Sequence, residues 1–274
     1  MLAFSQTAKY FTCPICQEQL KLTGKSLICP KNHTFDLAKQ GYANLILNAK
    51  KDPHYDKESF IRRSHILEAG YYQHILKAIS QELPQDQAVT ILDVACGEGY
   101  YARALAQNPT NQVLAFDLSK DSILLAAKKD PQRLVTWFVG DLAKLPLAEQ
   151  SVDIIIDVFS PANYQEFKRV LKPGGKIIKA VTASDHLKEL RQAAADQLLH
   201  QDYSNDSVIN HFAQAYPDYH VSHISQTYTI NQADLTDFIE MTPLFFHVDK
   251  SKLDLEKLSQ ITVAADILVA KHKD

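Results

Sequence analysis

The chain has 274 residues, 46% of them hydrophobic and 22% charged, with a formal net charge of −3. That composition describes a globular protein with room for one large core and a small appended module, and no apolar run is long enough to span a bilayer. Four cysteines are too few for a disulfide scaffold and Met1 to Tyr10 lacks the pattern of a signal peptide, so a reducing, cytoplasmic setting is expected. The charge is unevenly spread. Residues 1–65 hold ten Lys or Arg and five Asp or Glu, a formal +5, which leaves −8 on the remainder. This asymmetry fits either a polyanion-binding face or a solvated lysine-rich surface.

Cys13-Pro14-Ile15-Cys16 is followed after twelve residues by Cys29-Pro30-Lys31-Asn32-His33. Two knuckles, Cys-x2-Cys and Cys-x3-His, supply the four sulfur and nitrogen ligands of a closed tetrahedral zinc site. With all four positions filled by protein, the ion is structural. Between the knuckles, Glu18 to Ser26 with Gly24 reads as a hairpin. Lys21, Lys25, Lys31 and Lys39 lie in or beside this segment. Lys50 to Asp56 reads as a polar linker. Helical patterns follow over Glu58 to Glu68, carrying Arg62-Arg63, and over Gln73 to Leu83. Arg62 and Arg63 suit either phosphate contact or an ordinary solvated helix face.

The apolar run Ile91-Leu92-Asp93-Val94 leads into Ala95-Cys96-Gly97-Glu98-Gly99 and a helical pattern from Tyr100 to Ala106. This strand–turn–helix unit lets a nucleotide-like ligand approach bare backbone. Asp93-x-Ala95-x-Gly97-x-Gly99 resembles motif I of class I S-adenosylmethionine-dependent methyltransferases. Ala95 replaces one glycine of that motif, and ordinary backbone angles are expected there. Gly97-x-Gly99-x-x-Ala102 also satisfies the dinucleotide fingerprint, so the loop alone leaves both ligands open.

Further strands are predicted over Asn111–Asp117, Leu134–Val139, Asp153–Phe159 and Lys176–Val181, with a helix capped by Ser119 running to Lys129. Asp117, about twenty residues past the turn, is placed to accept both ribose hydroxyls of a nucleoside. Asp141 resembles the acid that meets the adenine amino group, and Leu171-Lys172-Pro173-Gly174-Gly175-Lys176 resembles the turn before the fifth methyltransferase strand. A helix over Asp234–Met241 and a strand over Ile261–Val269 close the pattern. The expectation is an α/β chain: a seven-stranded, doubly wound, Rossmann-like sheet with its last strand antiparallel, and a small N-terminal zinc finger. The expected divisions are 1–50, a zinc-binding RNA-recognition module; 51–84, a helical linker; and 85–274, the methyltransferase domain.

Together the finger, Phe35-Asp36-x-Ala38-Lys39-x-Gly41-Tyr42-x-Asn44-Leu45, Arg62-Arg63-x-x-x-Leu67-x-x-Gly70-x-Tyr72, Cys96-Gly97-Glu98-Gly99-Tyr100-Tyr101 and Met241-Thr242-Pro243 resemble the 23S rRNA (guanine-N1)-methyltransferases. The extension before Cys13 and Phe159-Ser160-Pro161 are more similar to the Gram-positive type. The resemblance implies methylation of a guanine in a domain II hairpin of 23S rRNA, and a homodimer. It puts cofactor contacts on Tyr72, Gly97, Glu98 and His186, beside Asp93, Gly99, Asp117 and Asp141 of the motifs, and zinc on Cys13, Cys16, Cys29 and His33. His186 on its residues alone is a capping-turn histidine. Asp157, at a strand end, is a candidate base for the guanine N1 proton or a helix-capping carboxylate. Two other functions fit parts of the pattern: a methyltransferase for a small phenol or quinone, and a non-catalytic zinc-dependent rRNA-binding protein.

Overall fold

A computed structural model describes residues 2–47, 57–198, 203–246, 248–255 and 257–273; the predicted linker Lys50 to Asp56 lies outside them. In chain order the elements are α1 (Leu2–Thr7), β1 (Lys21–Thr23), β2 (Ser26–Ile28), β3 (Thr34–Asp36), β4 (Ala43–Asn44), α2 (Lys57–Glu68) and α3 (Gln73–Gln81). Next come β5 (Val89–Val94), α4 (Tyr100–Leu105), β6 (Asn111–Asp117), α5 (Lys120–Lys128), β7 (Val135–Val139), β8 (Val152–Val158), α6 (Tyr164–Val170) and β9 (Leu171–Thr182). The last are α7 (Lys188–Ala193), α8 (Asp206–Ala215), β10 (Tyr219–Thr229), α9 (Gln232–Met241) and β11 (Gln260–Lys271).

The chain packs as two compact units, each assembled from separate stretches. The first comprises Met1–Asp52, Pro84–Lys179 and Val269–Asp274. Its central strands β5, β6, β7 and β8 are continuous apolar runs, as a parallel sheet covered on both faces demands. β5 pairs in parallel with β6 and β8, and β6 with β7. The reversal of strand order lies between β6 and β8, on either side of β5, and ligands of open α/β sheets gather outside the strand ends at such a point.

The large sheet has eight strands rather than the expected seven, in the order β10-β11-β9-β8-β5-β6-β7-β4. The additional one comes from the N-terminal module: β4 pairs in parallel with β7, Ala43 against Phe138 and Asn44 against Val139, and the Leu45 amide continues the ladder to the Val139 carbonyl at 3.0 Å. A two-residue strand has no periodicity to read.

A second contact ties the same module down. Phe11 is fully buried, 5.6 Å from Phe4 and edge-on to Phe138 at 5.0 Å between ring centroids. Its backbone bridges Leu147, with flanking bonds from the Thr12 amide to the Pro146 carbonyl and from the Ala148 amide to the Tyr10 carbonyl. Thr7 meets Thr136 through buried hydroxyls 2.9 Å apart. The receiving segment is itself held: Arg169 donates to the carbonyls of Leu145 and Leu147, while Glu166 accepts the Leu145 amide.

The second unit comprises Pro53–Leu83 and Ala180–Leu268. Here β9 and β11 are antiparallel, since the Ala183 amide bonds Ala264 and the Leu187 amide bonds Thr262. The expected antiparallel strand is therefore β11. β10 is antiparallel to β11, with His223 on Asp266 and Thr227 on Thr262. α2 packs on α9. Arg62 of α2 donates to Asp237 at 2.8 Å and to Glu58 at 2.7 Å, and Tyr71 donates to Asp234 at 2.8 Å. Asn231 caps α9 by accepting the Asp234 amide.

Truncating Phe11 to alanine removes the ring that joins the N-terminal segment to β7, at a cost of about 3–5 kcal/mol. Denaturant unfolding followed by Trp137, the single tryptophan, should register a loss of that size. A change below about 1 kcal/mol would mean that the segment is not part of the cooperative unit.

Candidate functional site

Two turns of like geometry build the metal centre. In each, a residue in the left-handed region follows the first ligands: Gln17 at φ 63° and Asn32 at φ 62°. The Gln17 amide returns to the Cys13 carbonyl and the Asn32 amide to the Cys29 carbonyl. β1 and β2 pair as the expected hairpin, and β3 adds a third antiparallel strand that brings His33 back. The ligand atoms of Cys13, Cys16, Cys29 and His33 all lie within 4.8 Å of one another. Cys16 Sγ is 3.6 Å from Cys29 Sγ, and His33 Nδ1 is 3.5 Å from Cys13 Sγ and 3.4 Å from Cys29 Sγ. A tetrahedron with Zn–S near 2.3 Å and Zn–N near 2.0 Å has edges of about 3.5–3.8 Å, so the donor set fits zinc. Desolvation opposes ionisation of Cys29, but backbone amides of His33 and Lys31 and the neighbouring thiols outweigh it and bring its pKa down to about 7. Lys21, Lys25, Lys31 and Lys39 are all exposed. Lys31 lies 3.9 Å from Glu18, a surface pair of little energetic consequence.

The glycine loop leaves β5 at the switch point. Ala95, Gly97 and Gly99 all have positive φ, at 48°, 56° and 78°. Ala95 thus departs from the ordinary angles expected of it. The alternation of left-handed residues turns the chain from β5 into α4, and alanine at that position carries the left-handed cost of roughly 1–2 kcal/mol that a glycine avoids. Gly99 is restricted by space as well: a Cβ there would lie 2.3 Å from the Trp137 ring. Trp137 is buried and fixed by its indole N–H to Asp130 at 3.1 Å.

Asp117 ends β6 and ties this loop to the next. Its Oδ2 accepts the Gly97 amide at 3.0 Å and its Oδ1 the Ser119 amide at 2.7 Å. Asp141 is exposed just past β7, with Oδ1 on the Ala143 amide. Asp93 is 1% exposed and its Oδ2 meets no hydrogen-bond partner. Burial raises its pKa well above the carboxylate range, and the carboxylates of Glu98, Asp157 and Asp117 push the same way. An uncompensated buried acceptor among like charges suits a cationic ligand. Glu98 is buried too.

Asp157, the candidate base, is fully buried near the end of β8. Lys179 of β9, 2% exposed, donates to its Oδ2 at 2.6 Å, and Ser160 donates to its Oδ1 at 2.5 Å. Both carboxylate oxygens thus accept from a side-chain donor. Lys179 escaped the sequence reading, although a lysine inside the apolar stretch Ile177–Ala180 is the visible sign of a buried charge pair.

In the second unit, Tyr72 stacks on Phe238 at 6.2 Å and lies 6.2 Å from the His186 ring. His186 Nδ1 accepts the Ala264 amide at 3.1 Å, which puts the proton of the neutral ring on Nε2. Burial, then the Arg191 charge, lowers its pKa to about 4. Arg62, 33% exposed, uses one N–H of each terminal nitrogen on Glu58 and Asp237, of the five donors a guanidinium carries. Arg63 is half-buried, and its charge acts on Tyr72.

Replacing Cys29 by serine should release the metal. Hydrogen exchange should then speed up through Lys21–Asp36 while β5 to β8 keep their protection, because Phe11 and β4 hold the module's other contacts independently. Zinc retained at one per chain by metal analysis would remove Cys29 from the ligand set.

Comparison with known proteins agrees with this geometry. Residues 11–52 match the zinc-ribbon family described as RlmA, N-terminal, and residues 91–175 match the methyltransferase domain family. The Bacillus subtilis protein YxjB, named as a 23S rRNA (guanine-N(1)-)-methyltransferase, is 35% identical over 94% of this chain and 96% of its own. The 23S rRNA (guanine(748)-N(1))-methyltransferase of Streptomyces fradiae is 25% identical over 96% of this chain and 97% of its own. Among solved structures, the Haemonchus contortus phosphoethanolamine N-methyltransferase 2 bound to S-adenosylhomocysteine shares the fold, with TM-score 0.54 and 16% identity over 81% of this chain and 58% of that one. The chain is a zinc-ribbon-bearing, S-adenosylmethionine-dependent methyltransferase and belongs to the 23S rRNA (guanine-N1)-methyltransferase family.

Proposed function

We propose that this protein transfers a methyl group from S-adenosylmethionine to N1 of a guanine in a domain II hairpin of 23S rRNA, working in the cytoplasm as a homodimer. The observation that carries the proposal is the joining, within one compact unit, of a lysine-bearing zinc ribbon and a donor-binding loop. A ribbon fixed to the sheet edge by Phe11 and β4 suits a substrate too large for the catalytic cleft alone. A methyltransferase of small phenols has no use for it.

Asp93, Gly97, Glu98, Gly99, Asp117 and Asp141 of the first unit form the proposed donor-binding loops, and the family resemblance adds Tyr72 and His186 of the second as proposed cofactor contacts. Asp117 would hold the ribose hydroxyls and Asp141 the adenine amino group. Bound there, the donor supplies a methyl already electrophilic on its sulfonium, so the protein's work is to align the acceptor in line with it. A guanine within a stem cannot present N1, so the base must be unstacked or looped out. We assign the proposed hold on the hairpin backbone to residues 1–50, through Lys21, Lys25, Lys31 and Lys39. Arg62 and Arg63 remain further candidates.

Primer extension on rRNA from a deletion strain should lose one stop in that hairpin; an unchanged profile contradicts the proposal. Replacing Lys21, Lys25 and Lys31 together with glutamine should weaken RNA binding and reduce the salt slope by about 2–3, with unchanged donor affinity. An unaltered slope would place the RNA surface elsewhere. Asp117→Ala removes a charged acceptor worth roughly 1.5–3 kcal/mol per hydrogen bond. The dissociation constant for S-adenosylmethionine should then rise about tenfold or more. Calorimetry giving the wild-type value would take Asp117 out of the site.

A further inference from the structure

The buried pair Asp157–Lys179 has a geometry that packing alone does not call for. Burying two charges is costly, and replacing such a pair by apolar residues of similar volume is often neutral or stabilising. Here the lysine does more than neutralise the carboxylate. Its Nζ also donates to the Ser160 carbonyl at 2.7 Å, while the Ser160 hydroxyl returns to Asp157 Oδ1 at 2.5 Å. Ser160 is thus gripped at backbone and side chain by two groups that are themselves 0% and 2% exposed. Just before it, Phe159 adopts φ 55°, a left-handed conformation rare for a bulky residue and maintained only where surroundings over-determine it. Just after it, Pro161 is exposed, and Asn163 caps α6 by accepting the Glu166 amide. The turn is therefore fixed at both ends.

Its location gives the clamp a purpose. Asp157 lies opposite Val94 in the parallel register of β8 and β5. The turn after β8 and the glycine loop after β5 consequently leave the same end of the sheet from adjacent strands. One carries the donor-binding residues. The other is the neighbouring backbone from which an acceptor can be oriented.

We propose that Lys179 and Asp157 are positioning residues for the methyl-accepting base, setting the height and direction of the Phe159–Asn163 turn through Ser160. The proposal rests on the RNA-methylating function above. It asks for no proton transfer to Asp157, whose two oxygens are occupied by Lys179 and Ser160.

The test uses the full-length protein, S-adenosylmethionine and a 23S rRNA hairpin fragment. A double variant, D157L/K179M, removes both charges together, so neither is left buried without its counter-charge, and it releases the Ser160 hydroxyl and carbonyl from the clamp. It should fold, bind S-adenosylmethionine as wild type does, and show a kcat for methyl transfer lowered at least about tenfold. Ser160→Ala, at a half-buried turn position where misfolding is not at issue, should lower kcat about fivefold at unchanged donor affinity, and Ser160→Thr should recover part of it. If the double variant fails to fold, the serine pair decides. A kcat within twofold of wild type in Ser160→Ala, or in a folded double variant, overturns the clamp. Absence of transfer by the wild-type protein would instead contradict the proposed function, so the two failures are distinguishable.

Discussion

The Asp117 carboxylate is the fastening on which the glycine loop depends. Parallel pairing of β5 with β6 sets Val94 beside Phe116, so the residue that ends β6 stands next to the loop that leaves β5. Asp117 takes one N–H from each of the loops after β5 and β6. Amides that would otherwise need water or ligand are thereby satisfied, and three left-handed residues in five hold one conformation. The Trp137 ring limits the same loop from beneath at Gly99. The loop is thus a preformed cradle held by that carboxylate. Preorganisation of this kind saves ordering cost on binding.

The N-terminal ribbon follows a different constraint. Its residues 11–47 are too few to bury a substantial core, and two devices compensate. The Cys3His cluster closes the knuckles, and the sheet lends its edge: β4 continues the ladder beyond β7 while Phe11 fills a place between Phe4 and Phe138. The ribbon is consequently an extension of the methyltransferase sheet rather than a tethered accessory. An edge strand that would be a pairing liability in isolation becomes the joint between metal module and catalytic core.

Most of this frame is legible in the chain. Buried parallel strands are continuous apolar runs, so β5 to β9 announce themselves, and the metal ligands follow from spacing. What escapes has identifiable causes. β10 is exposed along nearly its whole length, so its alternation has no apolar face to reveal it. β4 is too short for any pattern. The left-handed angle at Ala95 is invisible because alanine conventionally signals the opposite. Arg62 looks solvent-facing from helical periodicity because its partner Asp237 lies 175 residues away. Asp157 could be recognised as a strand-end acid, but its meaning depends on Lys179 one strand over, a pairing that only the fold supplies.

The central claim is that this combination of ribbon and cradle methylates N1 of guanine in RNA. Incubating the protein with S-adenosylmethionine and a 23S rRNA domain II fragment, then digesting the RNA to nucleosides for mass spectrometry, tests it most directly. The account predicts 1-methylguanosine from a single hairpin position, dependent on the donor. Methyl on another atom of the base, on a ribose 2′-oxygen, or on added small phenols in place of RNA would contradict it.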